Sequence, residues 1–107
     1  MKFSITESKL NKVIFNYLNL KHFIKKEIND TIYFLYNIDD EYAQIRYNDG
    51  LCFIYYKLIE EISLFFSMEE SDSEQVIGKW VEDTLQMEVT YTESVQLLQS
   101  RLKIPFK

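Results

Sequence analysis

Residues 31–57 constrain the fold more than any other stretch. TIYFLYNI, EYAQIRYN and LCFIYYK are three β-rich runs, parted by Asp39-Asp40 and Asp49-Gly50. Asp-Gly between alternating apolar runs is a strong hairpin signal, because a type I′ turn needs positive φ at both central residues. Counting outward from Asp49-Gly50 pairs Asn48 with Leu51, Tyr47 with Cys52, Ile45 with Ile54 and Ala43 with Tyr56. Counting from Asp39-Asp40 pairs Ile38 with Glu41, Tyr36 with Ala43, Phe34 with Ile45 and Ile32 with Tyr47. Side chains alternate along a strand, so each register sorts residues to faces, and the two registers agree. One face collects Ile32, Phe34, Tyr36, Ala43, Ile45, Tyr47, Cys52, Ile54 and Tyr56 and reads as core. The other collects Tyr33, Leu35, Asn37, Tyr42, Gln44, Arg46, Leu51, Phe53 and Tyr55.

The rest of the chain reads as helix that must cover this sheet. Leu10, Val13, Ile14, Tyr17, Ile24 and Ile28 recur at helical spacing and predict a helix over residues 6–28, after a short extended segment at 2–5 and a Ser4-x-x-Glu7 capping box. Asn19 marks a weak point in it. Residues 58–68 (LIEEISLFFSM) repeat at helical period, and Ser71-x-x-Glu74 opens a further helix over 71–86 with Val76, Ile77, Trp80, Val81 and Leu85 on its apolar stripe. Gly78 inside that helix costs about 1 kcal/mol against alanine and implies a close packing contact. Residues 87–91 (MEVTY) fit a fourth edge strand or a connecting turn. Thr90-x-x-Glu93, or Thr92, starts a last helix through Leu102, with Val95, Leu98 and Leu102 on one side, and Pro105 stops it. The order is α-β-β-β-α-α-(β)-α: an α+β fold with a three-stranded antiparallel meander packed against about four helices, in one domain spanning residues 1–107.

Composition bounds the function. At 47% hydrophobic and 16% aromatic, the 107 residues bury a real core rather than stay disordered. Gly50 and Gly78 are the only glycines, which leaves no glycine-rich phosphate loop. Cys52 is the only cysteine and His22 the only histidine, so a disulfide framework, a zinc site and a nucleophile–histidine pair are not expected. No apolar run approaches membrane-spanning length and the N-terminus lacks a signal-peptide core, so a cytoplasmic setting is expected. The near absence of alanine beside abundant Ile, Lys, Asn, Tyr and Phe is what an AT-rich genome encodes.

Charge is unevenly spread. Residues 1–26 hold six lysines against Glu7, a local +5, and the remainder holds six basic against sixteen acidic residues, a local −10. Two charged surfaces follow as candidates. The acidic one is Glu69, Glu70, Asp72, Glu74, Glu82 and Asp83; the basic one is Lys9, Lys12, Lys21, Lys25 and Lys26, on the first helix. The carboxylates lack the spacing of a calcium loop, and Asp40 with Gln44-x-Arg46 is only a loose match to a metal-dependent nuclease pattern, so no metal or cofactor is expected. The third candidate is the second sheet face, where Tyr33, Tyr42, Arg46, Phe53 and Tyr55 are of the types enriched at interface hot spots. Either the last helix or the N-terminal segment covers it, or it docks a partner. The reading is a small acidic, non-catalytic protein-interaction module, of the kind a phage, plasmid or toxin–immunity locus uses as an inhibitor or adaptor. Its expected partner is another protein, such as a basic nucleic-acid-binding enzyme, or a second copy of itself. The alternatives are a nucleic-acid binder using the lysine helix and a small metal-dependent enzyme.

Overall fold

The computed structural model describes residues 7–99, with side chains from Lys9 onward. The expected extended segment at 2–5, the Ser4 cap, and Leu102 and Pro105 lie outside the described residues. Helix α1 runs Glu7–Asn19, followed by strands β1 (Ile24–Ile28), β2 (Thr31–Leu35), β3 (Ile45–Asn48) and β4 (Leu51–Tyr55). Helices α2 (Tyr56–Phe66) and α3 (Glu70–Leu85) lead to strand β5 (Tyr91–Val95). The strands lie in sequence order in one sheet; β1 to β4 are antiparallel neighbours and β5 is parallel to β4. A parallel pair needs a crossover, and α2 with α3 supplies it.

The meander forms in the register counted from its turns. Ile32 faces Tyr47 and Phe34 faces Ile45; Ile45 faces Ile54, Tyr47 faces Cys52, and Asn48 faces Leu51. Asp49 and Gly50 both have positive φ, 48° and 86°. The outer rungs do not form. Gln44 N–H donates to the Phe34 carbonyl, and Asn37 and Asp40 close a local turn instead. Ala43 thereby leaves the core face and is buried on the opposite one, beside Leu35 and Leu98. Tyr56 begins α2 rather than extending β4, so it does not face Ala43.

Two helical expectations are corrected. The first helix ends at Asn19, and residues 24–28 form a strand. His22 adopts a left-handed backbone at φ 54°, which no helix continues. Asn29 and Asp30 then take φ of 49° and 68°, a two-residue hairpin turn that lays β1 along β2. Likewise residues 91–95 are a strand, not the start of a last helix. Three helices are therefore present among the described residues, and the sheet has five strands.

All three helices pack on one face of the sheet. Ile14 and Leu18 of α1, Leu58, Ile59 and Ile62 of α2, and Val76, Ile77, Trp80 and Val81 of α3 meet Phe34, Ile45, Tyr47, Cys52 and Ile54. Ser63 and Ser73 share a buried 2.8 Å hydrogen bond between α2 and α3. The close contact implied by Gly78 exists: a Cβ there would stand 2.6 Å from Cγ2 of Thr92.

Candidate interaction surface

The outer face of the sheet, away from the helices, carries a row that crosses all five strands. In register it reads Lys26, Tyr33, Arg46, Phe53, Glu93. Directly opposed residues point to the same side, so these side chains lie next to one another. The Arg46 guanidinium lies 4.8 Å over the Phe53 ring, a cation–π contact. Its buried Nε has no hydrogen-bond partner among the described residues. Tyr91 meets the edge of Phe53 at 6.4 Å, and its hydroxyl donates to Glu93 at 3.1 Å. That hydrogen bond raises the Tyr91 phenol pKa above its usual value, with the Glu93 charge adding to it.

One end of this face is closed and the other open. After β5 the chain turns across the sheet: Ala43 N–H donates to the Leu98 carbonyl at 2.7 Å, and Tyr42 bridges Gln99. Leu98 is buried against Leu35 and Ala43, and Tyr33, Phe53, Tyr55 and Val95 pack around this cluster. At the other end Leu51 and Tyr91 are 40% and 49% exposed. The expected aromatic site is thus divided. Tyr33, Arg46 and Phe53 share the central row; Tyr55 belongs to the covered end and packs edge-on against Tyr56. Tyr42 sits in the irregular 36–44 connection and is exposed. Lys26, Tyr91 and Glu93 join this face without having been assigned to it from the sequence. The alternation in TYTESV was the available signal for the latter two.

The acidic set is strung along α3. Glu69, Glu70 and Asp72 crowd its first turn, exposed, where the helix dipole favours anions. Glu74 accepts from the Thr92 hydroxyl at 2.8 Å and Glu82 from the Val89 N–H at 3.3 Å, so both brace the link from α3 to β5. Asp83 lies about 20 Å further along from Glu70 at 1.5 Å per residue. The basic set is dispersed too. Lys9 and Lys12 stay on α1, while Lys25 and Lys26 take opposite faces of β1. Lys21 lies past the helix end, paired with Glu61 and placed over the rings of Tyr17 and Tyr36. Burial works against its ammonium, but the Glu61 hydrogen bond and the neighbouring Tyr36 and Glu61 charges outweigh it, and its pKa is raised. Tyr17 is raised as well, foremost because its hydroxyl donates to Glu61. Among the described residues, Lys9, Lys12, Lys21, Lys25 and Lys26 therefore do not share one helix face.

Cys52 is fully buried in the core and His22 is exposed on the α1–β1 turn. Burial, with Glu74 adding to it, pushes the Cys52 thiol up to about 12. Among the described residues, no three His, Cys, Asp or Glu side chains gather as a metal site, and no helix is long and apolar enough to cross a membrane. Comparison of the chain with protein-family models, curated proteins and solved structures finds no match.

Proposed function

We propose that this protein is an interaction module that acts by contact, docking a protein partner on the centre and exposed end of its outer sheet face. The observation that carries this reading is the Tyr33–Arg46–Phe53 row. It sets a guanidinium over an aromatic ring, flanked by a second aromatic, on a face that among the described residues is covered by Leu98 at the end of Leu35 and Ala43. Aromatic side chains offer large contact area with few rotors to immobilise, and both aromatic and arginine side chains are enriched at interface hot spots. Held over Phe53, Arg46 can offer guanidinium N–H groups to a carboxylate or carbonyl of the partner. The exposed acids Glu69, Glu70 and Asp72 support a role for charge in approach to a basic protein, the inhibitor or adaptor reading, since rim charges govern association rate.

Affinity capture from the source cell with three baits tests this: the native chain, a Tyr33→Ala/Arg46→Glu double variant, and a Glu69→Lys/Glu70→Lys/Asp72→Lys variant. A partner held by the native chain should be lost by the first variant, and held by the second with a slower on-rate and altered salt dependence. Retention of every partner by the Tyr33/Arg46 variant would reject the outer face as the docking surface.

A further inference from the structure

Among the described residues, β1 and β5 each have a hydrogen-bonded neighbour on one side only. Such an edge presents unpaired N–H and C=O groups to any strand of matching chemistry. Which groups β1 presents follows from its turn. Asn29 and Asp30, both with positive φ, form a two-residue hairpin turn closed between Ile28 and Thr31. Hydrogen-bonded and non-hydrogen-bonded pairs alternate along an antiparallel ladder, so Ile28, Lys26 and Ile24 bond to Thr31, Tyr33 and Leu35 of β2. The N–H and C=O of Lys25 and Glu27 therefore point away from the sheet. Both residues are exposed.

The order Ile24-Lys25-Lys26-Glu27-Ile28 says what fits that edge. In a two-fold contact each residue i meets j and each j meets i. Laid antiparallel on itself about Lys26, the strand sets Lys25 opposite Glu27 of the other copy, twice. These are the residues whose backbone groups point outward, so the same rungs exchange N–H···O=C bonds in pairs. Ile24 falls opposite Ile28 of the other copy, also twice. Centring the contact on Lys25 or on Glu27 would oppose that residue to itself and lose both ion pairs. The edge strand β5 offers no such match: laid on itself about its middle it opposes Glu93 to Glu93, and it holds no cation. We infer that β1 is a homodimer edge, where two copies pair this strand antiparallel about a two-fold axis at Lys26. Their sheets then join into one, with five strands from each copy. Lysine on an edge ordinarily deters pairing. Here Glu27 makes Lys25 a pairing group, and Lys26, set opposite its own copy, is the contact that opposes association. Lys26 adjoins Tyr33 on the outer face, so the two Tyr33–Arg46–Phe53 rows run on into each other across the seam. The inference does not depend on what that face binds.

Sedimentation equilibrium over a dilution series, with amide exchange measured at its two ends, tests it. The native chain should show the dimer mass at submillimolar concentration and dissociate on dilution. The Lys25 and Glu27 amides should exchange slowly in the dimer and fast once the copies separate, as on any free edge. Glu27→Pro removes an N–H that β2 does not use, so it should keep the native circular dichroism and be monomeric. Lys25→Glu and Glu27→Lys should each weaken the dimer by about tenfold, since each sets like charges opposite one another twice. Mixed in equal amounts, these two charge variants should restore it, because in the mixed dimer both rungs again pair opposite charges. Lys26→Gln should tighten it by removing the like-charge contact at the axis. A native chain monomeric throughout would overturn the proposal. So would a dimer that survives Glu27→Pro, a mixture no tighter than either charge variant alone, or a dimer loosened by Lys26→Gln.

Discussion

At Gly78 the backbone of α3 passes so close to β5 that a Cβ would stand 2.6 Å from Cγ2 of Thr92. Gly78→Ala gains about 1 kcal/mol of helix propensity and forces α3 from the sheet, an overpacking cost of about 1–3 kcal/mol. Denaturant unfolding should show a net loss of stability for Gly78→Ala that Thr92→Ser, which removes Cγ2, largely relieves. Cys52 gives a pH dependence of known sign. Its native thiol holds its proton to about pH 12, whereas an ordinary thiol ionises near 9.0. The native state therefore binds more protons between these values, and stability falls by about 1.4 kcal/mol per pH unit as pH rises through that window. Below pH 8 this contribution is fully present. Cys52→Ala should be less stable at neutral pH, through the cavity it leaves, yet show a shallower alkaline decline. The need for glycine at 78 was legible in the sequence as a helix interrupter wanting a reason; the reason, Thr92, was not, because it comes from a strand across the fold.

Helix and strand are hardest to tell apart in this chain where their two periods coincide. Ile24 and Ile28 are four apart, which suits one face of a helix and one face of a strand equally. What decides between them is the Asn29-Asp30 turn, whose residues tolerate the left-handed φ that a two-residue hairpin demands. Val95, Leu98 and Leu102, three and four apart, fit one face of a helix. There β5 wins because β4 offers a free edge and the β-branched Thr92 fits over Gly78. The helices α2 and α3 were legible to within about two residues at each end, since their apolar stripes are long. Their junction depends on the Ser63–Ser73 hydrogen bond. Ser73→Ala strands a buried hydroxyl on Ser63 and should cost about 1–3 kcal/mol, as should Ser63→Ala. Thermal melts of the double variant should show a loss well short of the two combined, because it leaves no orphaned partner.

For the whole molecule, the sheet is pinned at its centre and open at its sides. The strands β3 and β4 have neighbours on both edges, and their residues Ile45, Cys52 and Ile54 are fully buried; β1 is an edge strand of alternating half-exposed and exposed residues. Amide hydrogen exchange should therefore be slowest in β3 and β4 and fastest among the strands in the two edge strands, β1 and β5. The candidate site was partly legible from this same alternation. Counting from Asp49-Gly50 puts Arg46 and Phe53 on one face, counting from Asp39-Asp40 adds Tyr33, and all three lie there. Tyr42 and Tyr55 were counted with them, yet the chain after β5 covers Tyr55 and the splayed 36–44 connection carries Tyr42 away. Local physics settles what lies within a few residues: a turn that accepts only certain φ angles, the register that follows from it, and the two faces that follow from the register. Everything that joins distant segments was decided by packing. The parallel docking of β5, Leu98 folding over Leu35 and Ala43, and α1 stopping so that β1 can pair all depend on surfaces that exist only once the meander and helices have met.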